Sequence, residues 1–243
     1  QDDMLAMWPS VYPADTVLDI FTYAGAPGAY NLNLGAGAGI WYQDNGWSFS
    51  ANYVSGNAQN GNPNEGGIGT DAAPLAVLSG SGIDGAYFDS VNSVGLSAYW
   101  QPSTSGWVPS ISVGWGINSY NQGDDSLNFD GAASQSWYVG LQWDDAFIKG
   151  NALGMAVGQP TFITSCGDIC KEFGKDGNTP YDAGYAWEWW YKFQVTDNIS
   201  VTPAIFYLSN PLGAVGNAAR VAADESGAAL TNFGGIIKTT FKF

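Results

Sequence analysis

Residues Asn232 to Phe243 read NFGGIIKTTFKF. As a strand, this stretch places Phe233, Gly235, Ile237, Thr239, Phe241 and Phe243 on one face. Asn232, Gly234, Ile236, Lys238, Thr240 and Lys242 take the other, because strand side chains alternate. One face is aromatic and aliphatic; the other carries both lysines. Such a strand either presses its apolar face on a second sheet, as in a soluble sandwich, or turns it to lipid, as in a transmembrane barrel with a polar lumen. The rest of the chain decides between the two.

The alternation recurs from Tyr30 onward. Tyr30, Leu32, Leu34, Ala36, Ala38, Ile40 and Tyr42 share a face, and Asp44-Asn45-Gly46 then signals a hairpin. Trp47, Phe49, Ala51 and Tyr53 return against Ser48, Ser50 and Asn52. The pattern continues in Val94 to Trp100, Trp107 to Ile117, Trp137 to Trp143, Leu153 to Val157, Tyr185 to Val195, Ile199 to Tyr207 and the terminal strand. In most, apolar residues oppose Ser, Gly, Asn or Gln; Tyr185 to Val195 is interleaved with Ala186, Glu188, Trp190, Lys192 and Gln194. Pro203 lies within the eighth of these nine strands, and its missing N–H predicts a local break in the ladder.

Composition points the same way. The 243 residues are 45% hydrophobic and 15% aromatic but only 12% charged, against about 25% charged in soluble domains. No apolar run approaches the roughly 20 residues of a membrane-spanning helix. Net charge is −15, from seven basic and 22 acidic residues, which argues against nucleic-acid binding. Histidine is absent, so histidine-based triads and zinc sites are excluded. No enzyme activity and no cofactor are expected. No cleavable signal peptide is visible at Gln1, which reads as a processed or truncated start.

Connection lengths discriminate further. Counted back from the C-terminus they run long, short, long, short without exception. Barrels with short periplasmic turns and long extracellular loops require this parity, and a sandwich does not. The fold class is therefore all-β, an antiparallel transmembrane β-barrel. About nine C-terminal strands are present, of an expected 14 or 16. Because single-chain bacterial barrels are even-numbered and an open edge cannot face lipid, an odd number of strands is expected before Gln1. Residues 30–243 form this part of the barrel. Residues 1–29 do not alternate; Thr16 to Asp19 resembles a capping box, and the segment reads as an extracellular or pore-constricting loop with a short helix.

Several stretches carry a resemblance to a known family. AGYAWEWWYKFQVTDNISVTPAIFYLSNP (183–211) resembles the last hairpin of cyanobacterial outer-membrane porins, relatives of the carbohydrate-selective porin family. KGNALGMAVGQPTFITS (149–165), GAGAGIWYQDNG (35–46) and TNFGGIIKTTFKF (231–243) are similar to the same family in the same order. A chain ending on Phe with aromatics two residues apart also looks like the insertion signal of outer-membrane barrels. The resemblance implies an outer-membrane location and a trimeric, passive channel for ions and small solutes. It also implies that the first strands, and any surface-layer-homology segment, lie outside this chain. Some relatives are labelled iron-uptake porins, but no ligand set here has iron spacing. The contrasting reading is a secreted, soluble β-sandwich that binds glycans.

Candidate site residues are few. Asp144, Glu188, Lys192, Lys238 and Lys242 are the inward charges, either lining a pore or merely solubilising its rim. Asp15 and Asp19, on the short acidic helix, are candidates for a constriction. Cys166 and Cys170, close together in a Gly/Asp-rich loop, read as a small disulfide formed outside the cytosol, the alternative being two free thiols. Inward glycines, among them Gly39, Gly114, Gly154 and Gly158, imply either a wall thinned to widen the pore or a loop folded in against it.

Overall fold

The structure is a computed structural model and describes residues 34–57, 90–121, 132–165, 183–210 and 231–242. These form one antiparallel sheet of nine strands in simple sequence order. The strands are β1 (Leu34–Asp44), β2 (Trp47–Asn57), β3 (Ser90–Trp100), β4 (Ser110–Asn121), β5 (Ala132–Asp144), β6 (Ala152–Ser165), β7 (Ala186–Thr196), β8 (Ile199–Ser209) and β9 (Thr231–Phe241). Each has 11 to 14 residues, enough to cross a bilayer, which takes about 9–11 tilted residues. Sequence-adjacent strands pair throughout, and β1 and β9 are the sheet edges among the described residues.

Register places every alternating set where its periodicity puts it. Trp47 lies opposite Trp100, Trp115 opposite Trp137, Met155 opposite Trp189 and Ile205 opposite Gly235. Apolar residues thus share one face across the sheet. That face is exposed: Phe49, Tyr53, Leu96, Trp115, Trp189, Phe193 and Phe233 are all among the open large hydrophobics. The opposite face is shielded and mostly polar over β2 to β8 and open on the edge strands, where Trp41 and Ile236 lie. Of the buried residues described, sixteen are polar or charged and six hydrophobic, the reverse of a soluble core. A sandwich would bury the aromatic face against a second sheet; here the aromatic face is the outside.

Two departures from the sequence pattern have backbone causes. Trp107 is not a strand residue: β4 starts at Ser110, since Pro109 has no N–H to give the ladder. β6 does not stop near Gly158 but runs on to Ser165. It passes Pro160 through a register shift opposite Gln135 and Trp137, where a bulge absorbs the proline. The expected interruption at Pro203 is present, since β7–β8 pairing passes from Trp190↔Ala204 to Phe193↔Val201 at unchanged register. The first strand is described only from Leu34, so its expected start at Tyr30 lies outside the described residues.

All four short connections lie at one end of the sheet. The β1–β2 hairpin has Asn45 at φ 49° and Gly46 at φ 79°, the two positive φ values that a type I′ turn needs. Residues 197–198 join β7 to β8 as tightly. The β3–β4 and β5–β6 connections are longer and differ in character, as shown below.

Candidate functional site, the inner wall of the sheet

The inner wall is built by the even-numbered residues of β2 and β4 to β9 and the odd-numbered residues of β3, a consequence of the register. Over β2 to β4 it is made mostly of small polar side chains, with Tyr99 near the short-turn end. Ser50 and Ser97 share a hydrogen bond of 2.6 Å, and Asn118 Nδ2 donates to Ser134 Oγ on β5 at 3.1 Å. Over β5 to β8 larger groups appear. Tyr138, Trp190 and Glu188 are the largest fully buried side chains, and Tyr138 shares a 2.9 Å hydrogen bond with Ser112. Tyr138 and Trp190 pack in one cluster with Ala156, Ala186 and Ala204.

These large groups occupy the space over the glycines. A Cβ on Gly114 would run into the Tyr138 ring, and one on Gly154 into the Trp190 ring. A Cβ on Gly39 would meet the Asn52 amide, and one on Gly234 would sit 2.6 Å from Phe206 Cζ. At these four positions, therefore, the glycines do not widen the lumen. Each receives a side chain from its cross-strand partner, which lies flat along the wall. The sequence showed the glycines and the aromatics, but only the register shows that they pair.

The charged candidates fall into a pattern. Asp144 and Lys192 both lie opposite Ala152, on its two sides. Lys238 lies opposite Thr202, which the unchanged β7–β8 register sets opposite Lys192. Asp144, Lys192 and Lys238 therefore occupy one lateral row near the short-turn end. Asp144 accepts hydrogen bonds from Gln142 (2.9 Å) and Gln101 (3.3 Å). Glu188 stands apart, opposite Ala156 and Phe206. It is four residues from Lys192, roughly 13 Å along the strand, and fully buried. Lys242 follows β9, exposed, with its backbone N–H donated to Asn198 at 2.9 Å. Asp15, Asp19, Cys166 and Cys170 lie outside the described residues. Among the described residues no group of three His, Cys, Asp or Glu could hold a metal.

Among the described residues, six buried inner-face atoms have no hydrogen-bond partner: Ser48 Oγ, Asn52 Nδ2, Ser93 Oγ, Asn118 Oδ1, Gln142 Oε1 and Trp190 Nε1. In a dry interior each would cost about 1–3 kcal/mol. Sequence reasoning missed these as a set, although the run of inward Ser and Asn was their signal.

On the outer face, by contrast, polar tips are satisfied within the surface. Trp137 Nε1 donates to Gln159 (2.8 Å), Trp115 Nε1 to Gln135 (3.3 Å) and Tyr53 Oη to Asn92 (2.6 Å). Aromatics there also pack side by side, Trp47 on Phe49 at 5.6 Å and Trp187 on Trp189 at 5.8 Å. Trp and Tyr with satisfied tips suit the boundary between lipid and water.

A single sheet with an apolar exterior and a hydrophilic interior is the wall of a transmembrane β-barrel. The model of the carbohydrate-selective porin, OprB family, matches residues 19–243, and the chain belongs to that family. An uncharacterized protein of Nostoc sp., alr4550, is 25% identical over 229 residues, covering 79% of this chain and 37% of the relative. An uncharacterized protein of Synechocystis sp., sll0772, is 30% identical over 147 residues, covering 57% and 23%. The chain thus spans well under half the length of these relatives. Among solved structures, the high-pH structure of Pseudomonas putida OprB matches at a TM-score of 0.46 and 16% identity, over 85% of this chain and 47% of that one.

Proposed function

We propose that this chain forms part of an outer-membrane diffusion channel for small hydrophilic solutes, including sugars and inorganic ions. The observation that carries this reading is the inversion of the sheet, polar within and apolar without. The hydroxyl and amide groups of the inner wall suit neutral, hydroxyl-bearing solutes, in keeping with the family's name.

The open edges of β1 and β9 cannot face lipid, because unpaired backbone groups cost several kcal/mol each there, roughly. In this reading further strands of the same barrel pair with both edges, giving 14 or 16 in all. A homotrimer is proposed from the family resemblance.

Ion preference is the balance between the charge row, which is net positive, and the excess of acids elsewhere in the chain. Two lysines and one aspartate share the row, against a net charge of −15 over the whole chain. At about 0.15 M salt the Debye length is near 8 Å, so distant acids fade while charges in the bore persist. A weak cation preference that strengthens as salt is lowered follows. Reversal potentials across a planar bilayer under a KCl gradient test this, together with liposome swelling in monosaccharide. Lys192→Glu with Lys238→Glu should raise cation preference. Absence of both conductance and swelling by the full-length protein would overturn the channel reading; anion preference at all salt levels would overturn the charge assignment alone.

A further inference from the structure

Two of the four short turns do not look like turns that end in water. The β3–β4 connection exposes Trp107 at 98% and Val108 at 54%. The β5–β6 connection exposes Phe147 at 87% and Ile148 at 61%. The tips of the β1–β2 and β7–β8 turns, by comparison, are Asp44-Asn45-Gly46 and Asp197-Asn198.

The turn that presents Phe147 and Ile148 is held by specific structure. Phe147 has φ 63°, and Ile148 N–H bonds back to Ala146 O at 2.8 Å, which makes Phe147 the centre of a γ-turn with positive φ. A bulky residue there costs on the order of 1–3 kcal/mol and persists only when its surroundings enforce it. The enforcing contacts are present. Tyr191 Oη donates to Ala146 O (2.8 Å), Asn151 Nδ2 donates to Tyr191 Oη (3.1 Å), and Gly150 N–H donates to Asp145 Oδ1 (2.7 Å). The two turns are also tied together: Ser105 Oγ donates to Asp145 Oδ2 at 2.8 Å.

Both turns grow out of the outer face. Trp143, on that face, donates its indole N–H to Trp107 O at 3.0 Å, and the Phe147 ring lies 6.1 Å from the Tyr191 ring. The apolar patch is therefore continuous with the lipid-facing surface of β4 to β7 and extends it past the strand ends. Its one acidic group, Asp145, has both oxygens engaged and lies in the field of Lys149, so it offers little repulsion to an anionic surface.

We propose that the β3–β4 and β5–β6 turns form a lipid anchor, with Trp107, Val108, Phe147 and Ile148 seated in the headgroup boundary of the adjacent leaflet. The anchor rests on the barrel reading above and occupies one sector of the rim. The barrel there sits deeper in the bilayer than at the two polar turns.

Site-directed spin labels test it, using full-length protein with Cys166→Ser and Cys170→Ser, in vesicles of phosphatidylethanolamine and phosphatidylglycerol. Labels at Trp107→Cys and Phe147→Cys should collide with oxygen in preference to a water-soluble nickel chelate, severalfold more than labels at Asn45→Cys and Asn198→Cys. Val113→Cys, on the outer face of β4, serves as the lipid reference; Val108→Cys and Ile148→Cys replace any variant that fails to insert. Water-like values at the two turns with a lipid-like value at 113 overturn the anchor and leave the barrel standing. A water-like value at 113 overturns the barrel itself. Labels shielded from both reagents would mean that protein, such as a second copy of this chain, covers the patch in place of lipid.

Discussion

The inner wall of β2 to β4 and that of β5 to β8 line the same side of one sheet, yet they are built differently. The first is made mostly of Ser48, Ser50, Asn52, Ser93, Ser97, Ser112 and glycine, with Tyr99 near the short-turn end and no charged side chain. The second carries Tyr138, Trp190, Phe206, Glu188 and Lys192. Their outer faces do not differ in this way, since Phe49, Leu96 and Trp115 have counterparts in Trp143, Met155 and Trp189. Lipid imposes one chemistry on the outside everywhere. The inside is free to vary around the barrel, and β5 to β8 carry most of its large and charged side chains.

Four measurements would break or sharpen this contrast. The largest effect is expected from Trp190→Ala. Trp190 is 1% exposed, and removing a buried Trp costs about 3–5 kcal/mol. Urea unfolding of the inserted protein, followed by loss of gel-mobility shift on heating, should show it. A cost below about 1 kcal/mol would mean that water replaces the ring and that the sector is not packed.

Gly154→Val comes next. Its branches would enter the Trp190 ring, and overpacking of this kind costs typically about 1–3 kcal/mol. The double variant Gly154→Val with Trp190→Ala should be less damaged than the sum of the single changes, because the clash disappears with the ring. Strict additivity would separate the two residues.

In the small-residue sector, Ser97→Ala should cost only about 1 kcal/mol, the worth of one hydrogen bond, by leaving Ser50 without that contact. A loss as large as that of Trp190→Ala would erase the contrast between sectors.

The smallest effect is local and pH-dependent. The Gly150 N–H, the Ser105 hydroxyl and, to a lesser degree, Lys149 hold the exposed Asp145 carboxyl below its ordinary range. The folded turn thus keeps its carboxylate to lower pH than the unfolded one. Its contribution is complete above the ordinary Asp value and is lost as pH falls through the depressed folded value. The protection factor of the Gly150 amide should drop in that window, and Asp145→Asn should flatten the drop.

Much of this fold was legible in the sequence because lipid is an exacting solvent. The outward sets from Ile40 to Phe241 alternate with few lapses, so the strands described, their faces and turn parity could all be read from residue types. The inward site was legible only as a roster. Asp144, Lys192 and Lys238 lie in different strands, and nothing short of register sets them in one row. Trp107 and Phe147 escaped for another reason: Trp107 continued an alternating run that Pro109 cuts short, and Phe147 adopts a φ that a phenylalanine by itself would avoid.

The paired glycines also bear on how the barrel assembles. A one-residue slip between neighbouring strands turns apolar side chains inward and is rejected by lipid. A two-residue slip keeps every face correct, so hydrophobicity cannot detect it. Trp190 can. Shifted by two, it would meet the methyl group of Ala152 or Ala156 in place of the bare Gly154, and Phe206 would meet Asn232 or Ile236 in place of Gly234. These ring-and-glycine pairs act as a proofreading code along the seams, distinguishing the true alignment from the alternative that the bilayer would accept.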